Sequence, residues 1–148
     1  MSALSAPDQY QEIRDAVRSL CLQFPAEYHR KIDEVRGYPE EFVNALTKAG
    51  WLAALIPQEF GGPGLSMAEA SVIMEEINRS GGNSGACHGQ MYVMNTIVFS
   101  GTDAQKQKYL PRIAAGDLRV QSMGVTEPTT GSDTTKLKTT AVKKDGRW

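Results

Sequence analysis

Thr126, Thr129, Thr130 and Ser132 fall in one short stretch, Val125-Thr-Glu-Pro-Thr-Thr-Gly-Ser-Asp133, with Gly131 set between the last two hydroxyls. Hydroxyls and flexible backbone at this density make a surface rich in N–H and O–H donors. Such a surface can cradle a phosphate or the polar edge of a heterocycle without any lysine. The same composition also suits an ordinary polar turn closed by an Asx-type bond at Asp133. At the level of residue types both readings stand.

Other candidates for chemistry are fewer. Glu40-Glu41 and Glu75-Glu76 are adjacent carboxylate pairs. Neighbouring residues on a helix point about 100° apart, so neither pair converges on one substrate atom. Both pairs are expected on solvated helix faces. A hydrolase built on Glu75, Glu76 and His88 therefore ranks last among the functional readings. His29 and His88 are the only histidines and do not pair with Cys or acids at metal-ligand spacing, so no metal site is expected. Cys21 and Cys87 lack a CxxC spacing and read as buried thiols of a reducing compartment. Met91 and Met94 are adaptable core fillers on a Met-rich helix. GxGxxG, GxxxxGK[ST], HExxH and GxSxG are all absent.

Helices must position these groups. Ser5 and Asp8 have capping-box spacing ahead of a helix over 5–24, with Ile13, Val17, Leu20 and Phe24 on one face. Pro25 ends it, and a short helix follows over 26–35. Pro39 opens a helix with Phe42, Val43, Leu46 and Ala49 as its stripe and Gly50 just past its end. Residues 51–64, with Pro57 and Gly61-Gly62-Pro63-Gly64, read as an irregular connector. Ser66 and Glu69 cap a helix to about Asn78, carrying Val72, Ile73 and Ile77. Asn83 or Ser84 caps a long helix to about Ser100. Thr102 and Gln105 cap the last helix, which Pro111 interrupts and Gly116 stops.

The texture changes after Gly116. Residues 118–126 carry Val120, Val125 and Thr126 without helical period. Residues 137–144 alternate as a half-exposed strand, and Asp145-Gly146 is a hairpin signal. The expected fold is mainly α: a helical domain over 1–117, then the first strands of an incomplete β domain over 118–148. With only Arg147 and Trp148 after the hairpin signal, the chain reads as a piece of a longer polypeptide.

Composition narrows the class. Of 148 residues, 16 are Lys or Arg and 17 Asp or Glu, a net charge of −1. No basic surface for nucleic acid is expected. No apolar run approaches the roughly 18 residues of a membrane span. The N-terminus has neither the basic nor the apolar region of a secretory signal.

Three segments resemble the acyl-CoA dehydrogenase family. They are Gln58-Glu-Phe-Gly-Gly-Pro-Gly-Leu-Ser66, Gly101-Thr-Asp-Ala-Gln-Lys-Gln-Lys-Tyr-Leu-Pro-Arg-Ile-Ala-Ala-Gly116 and Met123-Gly-Val-Thr-Glu-Pro-Thr-Thr-Gly-Ser-Asp133. Their order and spacing agree over essentially residues 8–148. The resemblance implies an N-terminal helical domain, a middle β-barrel, here truncated, and a C-terminal helical domain. It implies FAD between barrel and helices, a homotetramer or dimer, and a bacterial, cytoplasmic enzyme of fatty acid metabolism. The implied reaction is α,β-dehydrogenation of an acyl-CoA thioester, with electrons passing to an electron-transferring flavoprotein. The glutamate base of such enzymes lies on the C-terminal domain, so no catalytic residue is assigned here.

By the same resemblance Met123, Val125 and Thr126 lie along the isoalloxazine, Thr126 at its polar edge. Gly131 and Ser132 approach the FAD phosphates, and Ser132 also touches the pantetheine arm of the substrate. Met91 and Met94 wall the acyl pocket. The loop departs from the family's usual Gly-Ala at Thr129-Thr130, whose branching stiffens the backbone. The alternative is a non-catalytic helical module that binds a flavin or a partner.

Overall fold

A computed structural model of the chain describes residues 9–148. Six α-helices follow in order: α1 (Gln11–Cys21), α2 (Ala26–Glu34), α3 (Glu40–Lys48), α4 (Met67–Arg79), α5 (Gly85–Ser100) and α6 (Asp103–Ala114). The mainly α architecture expected from periodicity is the one found.

The helix expected over 5–24 occupies Gln11–Cys21; the Ser5–Asp8 pair lies outside the described residues. Val17 and Cys21 are buried, with Ile13 and Leu20 packed beside them. Residues 22–24 form turns rather than helix, and Pro25 takes the N-cap position of α2. No residue of α2 is fully buried. Aromatic edges anchor it instead: Tyr28 against Phe24 and His29 against Phe42, at 5.2 and 5.0 Å between ring centroids. α3 buries Phe42, Val43 and Leu46, and Gly50 follows it with φ +81°, a value that favours glycine.

Residues 51–64 are more regular than expected. They contain two 3-10 turns, Trp51–Ala53 and Gln58–Phe60. Leu52, Ala53, Ala54 and Ile56 are all buried. The apolar run carries this segment inside, and its carbonyls must then find partners. Gly64 N–H donates to Ile56 O and Leu65 N–H to Ala54 O, both at 2.8 Å. The segment separates two core clusters. One joins α1, α3, α4 and the start of α5; the other gathers Ile56, Phe60, Met94, Leu110 and Ile113.

α4 begins with the expected capping box of Ser66 and Glu69, and α6 with that of Thr102 and Gln105. At α5 it is Asn83 that caps: its Oδ1 accepts from Gly85 N–H at 2.7 Å, whereas Ser84 makes no cap bond. Pro111 does not interrupt α6, which runs through it to Ala114. Proline removes the bond to the Gln107 carbonyl, but both residues face solvent, where water can serve that carbonyl.

The expectation that both members of the Glu75-Glu76 pair are solvated is corrected. Glu75 is exposed, but Glu76 is buried at 1% exposure. The strands expected over 118–126 and 137–144 are also absent: among the described residues neither stretch forms a strand, and Lys144 alone of them takes part in an isolated bridge. Alternation supplies a half-apolar face, but a strand also needs a neighbour for its ladder. The turn at Asp145-Gly146 is present. Lys144 and Arg147 exchange backbone bonds at 2.8 and 3.0 Å, with φ of +51° and +79° between them.

Candidate functional site

The donor-rich loop is delivered by a short strap that leaves α6 at Gly116 and crosses the helices. Leu118 and Val120 pack on the second core cluster. Arg119 reaches α3, where it pairs with Glu40 Oε1 at 3.1 Å and hydrogen-bonds Asn44 Oδ1. Val120 N–H donates to Gln90 Oε1 at 3.4 Å, and Gln90 Nε2 donates to Leu52 O at 3.1 Å. Tyr38 O–H donates to Gln121 Oε1 at 2.8 Å. A Cβ at Gly89 would lie 2.9 Å from Gln121 O, so glycine permits the close approach of strap and α5.

Beyond the strap the residues divide into two groups. Glu127, Thr130 and Asp133 shape the loop. Glu127 and Thr130 exchange backbone bonds at 2.9 and 3.1 Å. The Glu127 carboxylate accepts from Lys138 N–H at 2.9 Å and Thr139 N–H at 2.7 Å. Hydrogen bonds from Thr139 and from the Lys138 backbone hold its pKa below the ordinary carboxylate value. Asp133 accepts from Thr135 N–H at 3.3 Å, the Asx-type bond, and its carboxyl is held low by Thr135 and then Lys136. Thr130 is buried and donates to Lys136 O at 3.3 Å.

The second group is not consumed in this way. Thr126 and Ser132 are exposed, and their hydroxyls have no hydrogen-bond partner among the described residues. The N–H groups of Gly131 and Ser132 are likewise unused. Beside these donors stand apolar groups, Met123 at 50% exposure and the half-buried Val125. Gln121 Nε2 is buried without a partner. Apolar surface next to unsatisfied donors is the donor set a flavin asks for: a flat ring with a polar edge and an anionic tail. The residues present fit that group. At Thr129-Thr130 the first side chain is exposed and the second buried.

The two methionines part company. Met91 lines a groove of about 410 Å³ between α4 and α5, together with Leu55, Met74 and Tyr92. Met67 and Phe99, at 57% and 78% exposure, form its rim. Met94 is fully buried against Ile56, Phe60 and Leu110 and does not line the groove. His88 is exposed and stacks edge-on against Tyr92 at 5.0 Å.

Glu76 is engaged elsewhere. Arg14 Nη1 lies 2.9 Å from its Oε1, and Arg18 Nη2 lies 3.0 Å from its Oε2. Burial disfavours its charge, but hydrogen bonds and proximity to the two guanidinium groups outweigh that and hold its pKa low. Glu76 and His88 therefore do not form a hydrolytic pair. Burial pushes the Cys87 thiol up to about 12 and also raises Cys21. Among the described residues no group of three or more His, Cys, Asp or Glu could hold a metal ion. No described helix is long and apolar enough to cross a membrane.

The residues missed by sequence reasoning are the strap's anchors: Gln90, Arg119, Gln121 and Tyr38. Only Gln90 carried a signal, as an amide at helical spacing from Cys87, Met91 and Met94 on the buried face of α5.

Known proteins supply an independent comparison. The family model described as the acyl-CoA dehydrogenase N-terminal domain matches residues 7–117. (2S)-Methylsuccinyl-CoA dehydrogenase of Cereibacter sphaeroides is 40% identical over 111 residues, which are 74% of this chain and 20% of that protein. Mitochondrial isovaleryl-CoA dehydrogenase of Solanum tuberosum is 31% identical over 150 residues, covering 98% of this chain and 36% of that protein. The crystal structure of acyl-CoA dehydrogenase from Geobacillus kaustophilus superposes with a TM-score of 0.79 at 28% identity, covering 97% of this chain and 38% of that one. The chain thus spans between a fifth and just over a third of the relatives' length. With the model matched from α1 through α6, the chain belongs to the acyl-CoA dehydrogenase family.

Proposed function

We propose that the chain serves as the helical and flavin-contacting part of an FAD-dependent enzyme that dehydrogenates an acyl-CoA thioester between Cα and Cβ. The observation that carries this reading is the loop of a family member in which Thr126, Gly131 and Ser132 keep their donors unused while Glu127, Thr130 and Asp133 maintain its shape. Bound FAD supplies the two-electron acceptor. Met123 and Val125 offer the apolar face for the ring, and Thr126 a hydroxyl for its polar edge. Gly131 and Ser132 offer N–H groups to the phosphates, with the Ser132 hydroxyl within reach of the pantetheine arm. Fixed donors of this kind stabilise the charge that grows on a ring during reduction. Met91 lines the acyl groove, and Met94, buried in the second core cluster, is not assigned to it.

Among the acids of the loop, Glu127 and Asp133 are committed to its own backbone. Neither is assigned the proton at Cα; the base is taken, as the family resemblance implies, to lie on the family's C-terminal helical domain. The domain division at residue 117, an oligomeric assembly, a cytoplasmic location and electron transfer to an electron-transferring flavoprotein belong to the same proposal. It is tested by supplying the full-length protein with saturated acyl-CoA thioesters and an artificial electron acceptor. The expected result is 2-enoyl-CoA with acceptor reduced in equal amount. A protein that binds FAD but oxidises no thioester in a panel of straight, branched and dicarboxylic chains contradicts it.

A further inference from the structure

We infer that Gln90 is a positioning residue, with Gly89 as its steric counterpart, that sets where the segment Met123–Ser132 stands; this rests on the reading that the segment meets the flavin. Gln90 is 1% exposed on α5 and carries one of the few buried polar side chains. Both ends of its amide are used. Nε2 holds the core connector through Leu52 O at 3.1 Å, and Oε1 holds the strap through Val120 N–H at 3.4 Å. Val120 precedes Met123 by three residues. Among the described residues the strap meets α5 through side-chain contacts and not through a ladder.

Gly89 acts on the same spot from the steric side. A Cβ there would stand 2.9 Å from Gln121 O, a backbone atom that gives way only if the strap itself shifts. Arg119 and Gln121 hold the strap laterally through α3 and Tyr38. Leu118 and Val120 pack its start on the core, and Gln90 and Gly89 set its distance from α5. A shift there moves Met123, Val125 and Thr126 together.

Two variants of the full-length protein test this. Q90M keeps the side chain's length while leaving Val120 N–H and Leu52 O without partners. G89A pushes the strap outward while giving α5 a better helix former. The expected result is a loss of FAD affinity of about tenfold in each, the scale of one hydrogen bond. Faster amide exchange at Val120 should accompany it in FAD-free protein. In G89A the thermal midpoint should hold or rise as the affinity falls, an opposition that a merely structural role would not give. If Q90M does not fold, G89A decides alone. Wild-type protein that binds FAD together with a folded variant set that binds it within twofold overturns the inference and leaves the flavin reading standing. A fall of stability and affinity together in G89A also overturns it. Wild-type protein that holds no FAD defeats the underlying reading itself, and this inference with it.

Discussion

Glu76 lies between the guanidinium groups of Arg14 and Arg18, buried at 1% exposure. Removing the buried carboxylate leaves two partly exposed guanidinium groups that water can serve. E76Q is expected to lower unfolding stability by about 1–2 kcal/mol, read from urea denaturation. The pH dependence has a definite sign. The folded carboxyl titrates below its ordinary value of 4.5, so its contribution is complete above that pH and is lost as pH falls through the folded value. Thermal midpoints of wild type and E76Q should therefore stay apart at neutral pH and draw together as pH falls below the ordinary carboxylate value. Cys87, with its pKa near 12, should resist alkylation at pH 8 in native protein and react once unfolded. Glu76 was readable in part. It falls three residues after Ile73 and next to Ile77, on the apolar stripe of α4. Its partners were not, because they come from α1, some sixty positions earlier, and only tertiary packing brings them together.

The elements divide by how local their causes are. The capping boxes at Ser66 and Thr102 are short-range bonds, and both were legible as Ser/Thr followed three residues later by Glu/Gln. S66A should cost about 1 kcal/mol in thermal or denaturant unfolding. The connector between α3 and α4 was misread because glycine and proline mark breaks in helices without saying whether the break lies inside. Here the apolar residues before the break are buried and Gly62 folds back against them: a Cβ there would stand 2.2 Å from Ile56 O. G62A should destabilise the protein by about 2 kcal/mol or more, beyond any backbone-entropy gain, measured by the same unfolding curves. The missing strands have the opposite origin. Alternation over 137–144 is a property of the segment, whereas pairing is a property of a neighbour, and residues 137–148 are exposed throughout. The loop at 125–133 was legible as donor-rich. Which donors serve the loop and which remain available needed coordinates.

At the scale of the molecule, two core clusters flank one buried connector, and α5 touches both. The strap that leaves α6 lies over this frame and carries the loop with it. The groove along α4 and α5 opens on apolar residues, Met91 within and Phe99 at the rim. Family membership rests on the helical frame, whereas the proposed chemistry rests on the loop that the frame holds. The link between them is tested most directly by titrating flavin-free full-length protein with FAD and following the quenching of flavin fluorescence. Wild type is compared with a double variant, Thr126→Ala with Ser132→Ala, which removes two exposed hydroxyls and no packing. The expected result is saturable one-to-one binding by wild type, weakened about a hundredfold in the double variant at unchanged thermal midpoint. Equal FAD affinity in the two proteins would contradict the assignment of the flavin to this loop.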